Sequence, residues 1–178
     1  DVYKRQENFP DSVNLGDFMN EYKHLTEMIP EMEPDEIFYK RIFLEYPAAH
    51  LDQAHTVEEI EKLCPEASSH AAAGFTYHPG NALDETILPS DEDTIIFRHN
   101  RYAPAFLHSH TFFEMIYVLR GTCENIFTSH TISMRSGDIC IVAPSIIHAL
   151  SAFSDDCVIY NFLIKSQTLS LIHISEPT

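Results

Sequence analysis

From Thr94 onward the chain is written in short apolar runs, and this rhythm constrains the fold more than any other feature. Candidate strands are Thr94 to Arg98, Ala105 to His110, Phe112 to Arg120, Thr122 to Thr128, His130 to Met134, Asp138 to Ala143, Ile147 to Ala152 and Cys157 to Lys165. Gly121, Ser136-Gly137, Pro144 and Asp155-Asp156 separate them. Short strands at this spacing predict an antiparallel sandwich or barrel. Alternate residues of a strand share a face. His108, His110, Phe112, Glu114, Ile116 and Val118 should therefore point one way, and Phe113, Met115, Tyr117 and Leu119 the other. Two histidines and a glutamate then stand on an otherwise apolar wall, as in a pocket. Met115, Tyr117 and Leu119 are too apolar for open water and call for a cover, either helices or a second subunit.

The residues before Thr94 read differently. Asn14 to Ile29 has apolar residues at helical spacing. Pro34 to Tyr46 opens on a proline tolerated in a first turn, and Pro47 closes it. Thr56-Val-Glu-Glu59 fits a capping box for a short third helix, which Pro65 stops. Ala67 to Asp93 is poorly patterned and reads as a linker. Charge changes at the same place. Residues 1–93 hold 21 acidic and 6 basic residues, whereas 94–178 hold 6 and 5. This places a domain boundary near Asp93. With a formal net charge of −16, the chain is a poor partner for phosphate backbones. The two ends, 1–6 and 170–178, resemble translated adapter sequence, so the expectation is a fragment of a longer protein.

Four cysteines, Cys64, Cys123, Cys140 and Cys157, form no C-x-x-C pair. They suit buried thiols in a reducing cytoplasm better than a zinc ribbon or a redox dithiol. No apolar run reaches the roughly 20 residues of a membrane span.

A second histidine-bearing stretch runs from Gly137 to His148, Gly-Asp-Ile-Cys-Ile-Val-Ala-Pro-Ser-Ile-Ile-His. If it neighbours the first, His108, His110, Glu114 and His148 meet. Three imidazoles and a carboxylate suit zinc, iron, manganese, nickel or copper. The same four groups also suit polar contacts to a small effector, or a cluster satisfied by internal hydrogen bonds. Phe112, Ile116 and Tyr160 are candidate pocket-lining residues or plain core. Arg98 and Arg101 fit either an anionic or hydroxylated ligand or a solvated strand edge. His24, His50, His55, His70, His78, His99 and His130 lack a partner spacing.

H-x-H-x-x-x-E-x-x-x-x-x-x-G from His108 to Gly121 resembles the first cupin motif. G-D-x-x-x-x-x-P-x-x-x-H from Gly137 to His148 is similar to the second. Ala152 stands where that motif closes on asparagine, and Ser145-Ile146 replaces its residues after proline, which departs from a conventional cupin enzyme. The wording Phe-Phe-Glu-Met-Ile-Tyr-Val-Leu-Arg-Gly, with Gly-Asp-Ile-Cys-Ile-Val-Ala-Pro, resembles the sensor half of AraC-type transcription regulators. That resemblance covers about Thr94 to Leu169. It implies a mainly β cupin jelly-roll barrel behind a helical N-terminal segment. It also implies a small-molecule effector, often a sugar, a homodimer, a cytoplasmic location and no catalysis. DNA would be bound only through a C-terminal helix-turn-helix region beyond these residues. The alternative is a metal-dependent cupin enzyme, a sugar isomerase or oxygenase.

Overall fold

The computed structural model describes residues 29–67, 69, 88–89 and 91–168. The chain divides into two compact units, Asp1–Pro30 and Glu31–Thr178. The predicted helix from Asn14 to Ile29, both terminal segments and most of the predicted linker lie outside the described residues.

Helix α1 spans Pro34–Glu45 and starts at its proline. A 3₁₀ turn, Pro47–Ala49, follows. Helix α2, Val57–Leu63, is capped as the sequence predicts: the Glu59 amide donates to Thr56 Oγ1 (3.3 Å) and the Thr56 amide to Glu59 Oε2 (2.7 Å).

Among the described residues seven strands follow: β1 Thr94–Arg98, β2 Phe113–Arg120, β3 Thr122–Phe127, β4 Thr131–Arg135, β5 Ile139–Val142, β6 His148–Ser151 and β7 Val158–Ile164. The expected mainly β architecture with a helical lead-in is what the chain forms. One sheet has the order β1-β7-β2-β5 and the other β4-β3-β6, and every pairing is antiparallel. The eighth predicted strand, Ala105 to His110, makes only isolated bridges, His55 with Phe106 and His108 with His148.

Gly121 carries the chain from β2 in one sheet to β3 in the other, with φ +75°. A Cβ there would meet Cys157 Cα at 2.8 Å, so both the backbone sign and the close approach require glycine. Ile116, Val118, Cys123, Met134, Val142, Leu150, Cys157 and Ile159 fill the core. The four cysteines are free thiols, three buried and Cys140 half-buried.

The charge change at Asp93 is not a structural boundary. Glu31–Thr178 forms one unit, and the helices are built into it. Ile42, Leu51, Ile60 and Cys64 pack with Phe106 and Phe153 of the β part. The Ala105 and Leu107 amides donate to the carbonyls of Leu51 and His55. Glu36, though it sits in the acidic half, is fully buried against Arg101. Arg101 and Arg98 are therefore helix anchors and not a solvated edge or a ligand contact.

Helices α1 and α2 do not serve as the expected cover for Met115, Tyr117 and Leu119, since their apolar residues pack on Phe106 and Phe153 instead. Met115, Tyr117 and Leu119 are half-buried, and Ile96, Ile139 and Ile141 on the same face are exposed. Among the described residues no helix is long and apolar enough to cross a membrane.

Candidate metal centre

The two histidine-bearing stretches, separate in sequence, are joined through the backbone. The His108 amide donates to the His148 carbonyl (2.9 Å), and the His148 amide donates to the His108 carbonyl (3.0 Å). Their rings lie 4.6 Å apart. The chain then reaches His110, whose carbonyl accepts from the Ser145 amide (2.8 Å). Ser145 sits at φ +67° after Pro144, and the Ile146 amide closes the turn on the Ala143 carbonyl (3.3 Å). This has the form of a type II turn, with serine where glycine is easiest. It replaces the motif residues missing after Pro144 and ties the second stretch to His110.

Glu114 stands on the inner face of β2, opposite Val142 of β5 and Leu163 of β7. Glu114 and Ile116 are buried, as the alternation predicts. His108, His110, Glu114 and His148 each offer one ligand atom, all within 4.8 Å of one another. Glu114 Oε2 lies 3.2 Å from His148 Nε2 and 3.5 Å from His110 Nε2. Among the described residues neither Glu114 Oε2 nor His148 Nε2 has a hydrogen-bond partner, so no ring N–H is aligned on the carboxylate despite the short distance. Buried polar atoms are rarely left so. Four donor atoms this close, with no hydrogen bond between the nearest two, fit a cation among them.

The opposite edges of two rings are committed. His108 Nδ1 is 3.0 Å from the Phe106 carbonyl, which can only accept. His148 Nδ1 is 2.9 Å from Asn125 Oδ1. In both, the proton belongs on Nδ1, and Nε2 is left to bind. His110 stacks on Phe112 at 4.6 Å and 18°.

Electrostatics favour the neutral, metal-binding form of the rings. Burial lowers His110 and His148 to about 4. Burial, helped by the charge of His148, also lowers His108. Burial raises Glu114, and His110 and His108 only partly oppose that rise. Without a cation, a buried carboxylate faces neutral rings, which is costly. A divalent ion held by these three imidazoles and one carboxylate would remove that cost and supply Lewis acidity to an oxygen ligand.

Of the predicted pocket residues, Phe112 and Ile116 are buried on the inner side, Phe112 against His110 and Ile116 within the core. Tyr160 is not with them. It pairs with Tyr117 and Arg98, and so shares the outer face. Its neighbours Ile159, Asn161 and Leu163 take the inside. Three interior polar residues escaped the sequence reading: Asn125, Asn161 and His99. Asn125 and Asn161 are buried, and Asn161 Oδ1 has no partner among the described residues. His99 Nε2 is also buried without a partner among the described residues, and burial, then the charges of His108 and, less strongly, His148, lowers the ring to about 4. Asparagine within an inward row such as Cys123-Asn125-Phe127 was the available signal.

Residues 91–175 match the family model of the AraC-like ligand binding domain. Similar solved structures include a cupin protein from Bacteroides fragilis, 20% identical, covering 57% of this chain and 90% of that one, with a TM-score of 0.39. A cupin-2 domain containing protein from Shewanella frigidimarina is 16% identical over 55% of this chain and 91% of its own, with a TM-score of 0.35. KdgF from Halomonas sp. is 21% identical over 43% and 75%, with a TM-score of 0.36. No curated protein matches the chain.

Proposed function

We propose that this chain is the sensing part of an AraC-type transcription regulator, and that it binds a small polar effector through a divalent metal held by His108, His110, Glu114 and His148. One observation carries the reading. Within a stretch that matches a ligand-binding domain, Glu114 Oε2 and His148 Nε2 lie 3.2 Å apart, buried and without hydrogen-bond partners among the described residues. An effector with vicinal hydroxyls or a carboxylate, a sugar or sugar acid by class, would place an oxygen on the metal. Asn161 Oδ1 and His99 Nε2 are further buried groups in want of partners.

In this reading a second copy covers the exposed Ile96, Ile139 and Ile141. The chain works in the cytoplasm, and DNA is contacted by a helix-turn-helix region outside these residues. Effector binding would shift how the sensor packs against its partners by differential affinity for the two arrangements.

A second reading, a metal-dependent cupin enzyme of isomerase or oxygenase type, draws on the fact that all four donor positions are filled. Thermal unfolding of stripped and metal-loaded protein against a panel of sugars and sugar acids, with product analysis of each mixture, separates the two. The sensor reading expects a rise with metal and a further rise with one ligand class, recovered unchanged. A ligand at about 100 times its Kd adds roughly 2.7 kcal/mol. Conversion of the ligand would overturn the sensor in favour of the enzyme, and no shift with any ligand would overturn both.

A further inference from the structure

We infer that Asn125 is the positioning residue of the cluster: it fixes which nitrogen of His148 carries the proton and so presents a bare Nε2 to the metal. The inference rests on the metal reading above and assigns a role to a residue outside both histidine motifs.

Asn125 lies in β3 with Cα partners Ile132 and Leu150, and is 0% exposed. Its inward neighbours Cys123 and Phe127 are apolar, and an apolar side chain there would pack at lower cost than an amide. Packing alone therefore does not account for an asparagine. Its two hydrogen bonds do. The amide nitrogen donates to Cys140 Sγ (3.5 Å), and the amide oxygen lies 2.9 Å from His148 Nδ1.

With its NH₂ turned to the thiol, the amide offers only its oxygen to the ring, so Nδ1 bears the proton. A neutral imidazole has one N–H, and Nε2 keeps its lone pair. Nε2 lies 3.2 Å from Glu114 Oε2 with no hydrogen bond between them. The other tautomer would put a hydrogen where the metal must bind. His108 reaches the same state independently through the Phe106 carbonyl, so the loss of Asn125 should disturb one ligand and spare the other.

The test compares wild type, Asn125→Leu and Asn125→Asp. Leucine keeps the volume and removes the acceptor; aspartate keeps an acceptor. Zn²⁺ and Co²⁺ affinities are measured by chelator competition, with the Co²⁺ absorption spectrum and the ring ¹⁵N shifts of His148. Groups behind a ligating histidine are worth about 10- to 100-fold in metal affinity. Asn125→Leu should lose that factor with an altered Co²⁺ spectrum, and Asn125→Asp should restore both. Metal-free wild type should show the Nδ1–H tautomer at His148. This last readout stands even if the leucine variant does not fold. Wild-type binding with unchanged affinity in Asn125→Leu, or the Nε2–H tautomer in wild type, would overturn this inference alone. No metal uptake by wild type would overturn the metal reading and this inference with it.

Discussion

Glu36 offers a quantitative test of how the helical segment is held. Its carboxylate accepts five hydrogen bonds: from the Arg101 amide (3.0 Å), Arg101 Nε (3.0 Å), Arg101 Nη2 (2.8 Å), Arg98 Nη2 (3.0 Å) and the Glu33 amide (2.9 Å). Glu36 is 0% and Arg101 3% exposed. Glu36→Ala strands a buried guanidinium, a change that ordinarily costs about 3–5 kcal/mol. Arg101 keeps its bonds to the carbonyls of Asp155 (2.7 Å) and Glu31 (3.2 Å), so the lower end applies, about 3 kcal/mol. For a chain of this length that lowers Tm by roughly 6–12 °C.

The double variant Glu36→Leu/Arg101→Met removes both charges and should recover much of the loss. Acid adds an independent check. Burial pushes the Glu36 carboxyl up, but the hydrogen bonds from Arg101 and Glu33 and the Arg101 charge outweigh it, and the net shift is downward. A lowered carboxyl contributes stability above the ordinary carboxylate range and loses it as pH falls through the folded value. Urea unfolding of wild type and both variants between pH 7 and pH 3 reads all of this. A loss under about 1 kcal/mol for Glu36→Ala, or no recovery in the double variant, would refute the argument.

Other consequences are simpler to test. Glu114→Gln removes a buried, unpartnered carboxylate oxygen, so metal-free protein should gain about 1–3 kcal/mol in urea unfolding while metal-induced stabilisation is lost. His110 and His148, lowered to about 4, bind protons later than they do in the unfolded chain. Their contribution is full above about pH 6.5 and falls toward pH 4, by up to ~1.4 kcal/mol per unit per ring. A urea midpoint that rises between pH 6.5 and 4 on acidification in chelator would contradict this. Ser145→Gly relieves a left-handed serine and should stabilise by about 1 kcal/mol in the same assay, whereas Gly121→Ala, blocked by Cys157, should cost more than 2 kcal/mol.

How far the sequence discloses the fold depends on the range of the interaction. Alternation placed Glu114 and Ile116 on one face with His110, and the structure buries all three. Tyr160, named as a pocket candidate without a parity argument, lies on the opposite face. In β7 both faces are apolar, with Ile159 and Leu163 inside and Phe162 and Ile164 outside, so parity has no contrast to read. The inward Asn161 disguises the pattern further. Arg98 and Arg101 find their partner more than 60 residues away in α1, and no local spacing announces such a pair. The meeting of His108 with His148 is likewise a long-range bridge, which the paired motifs implied and only the fold displays.

The central claim is that these four side chains hold one divalent ion. Calorimetric titration of Zn²⁺ into chelator-stripped protein at pH 7, for wild type, His108→Ala and His148→Ala, addresses it most directly. The account predicts one ion per chain in wild type and at least tenfold weaker binding in each variant. Absence of stoichiometric uptake, or uptake that both variants leave unchanged, would contradict it.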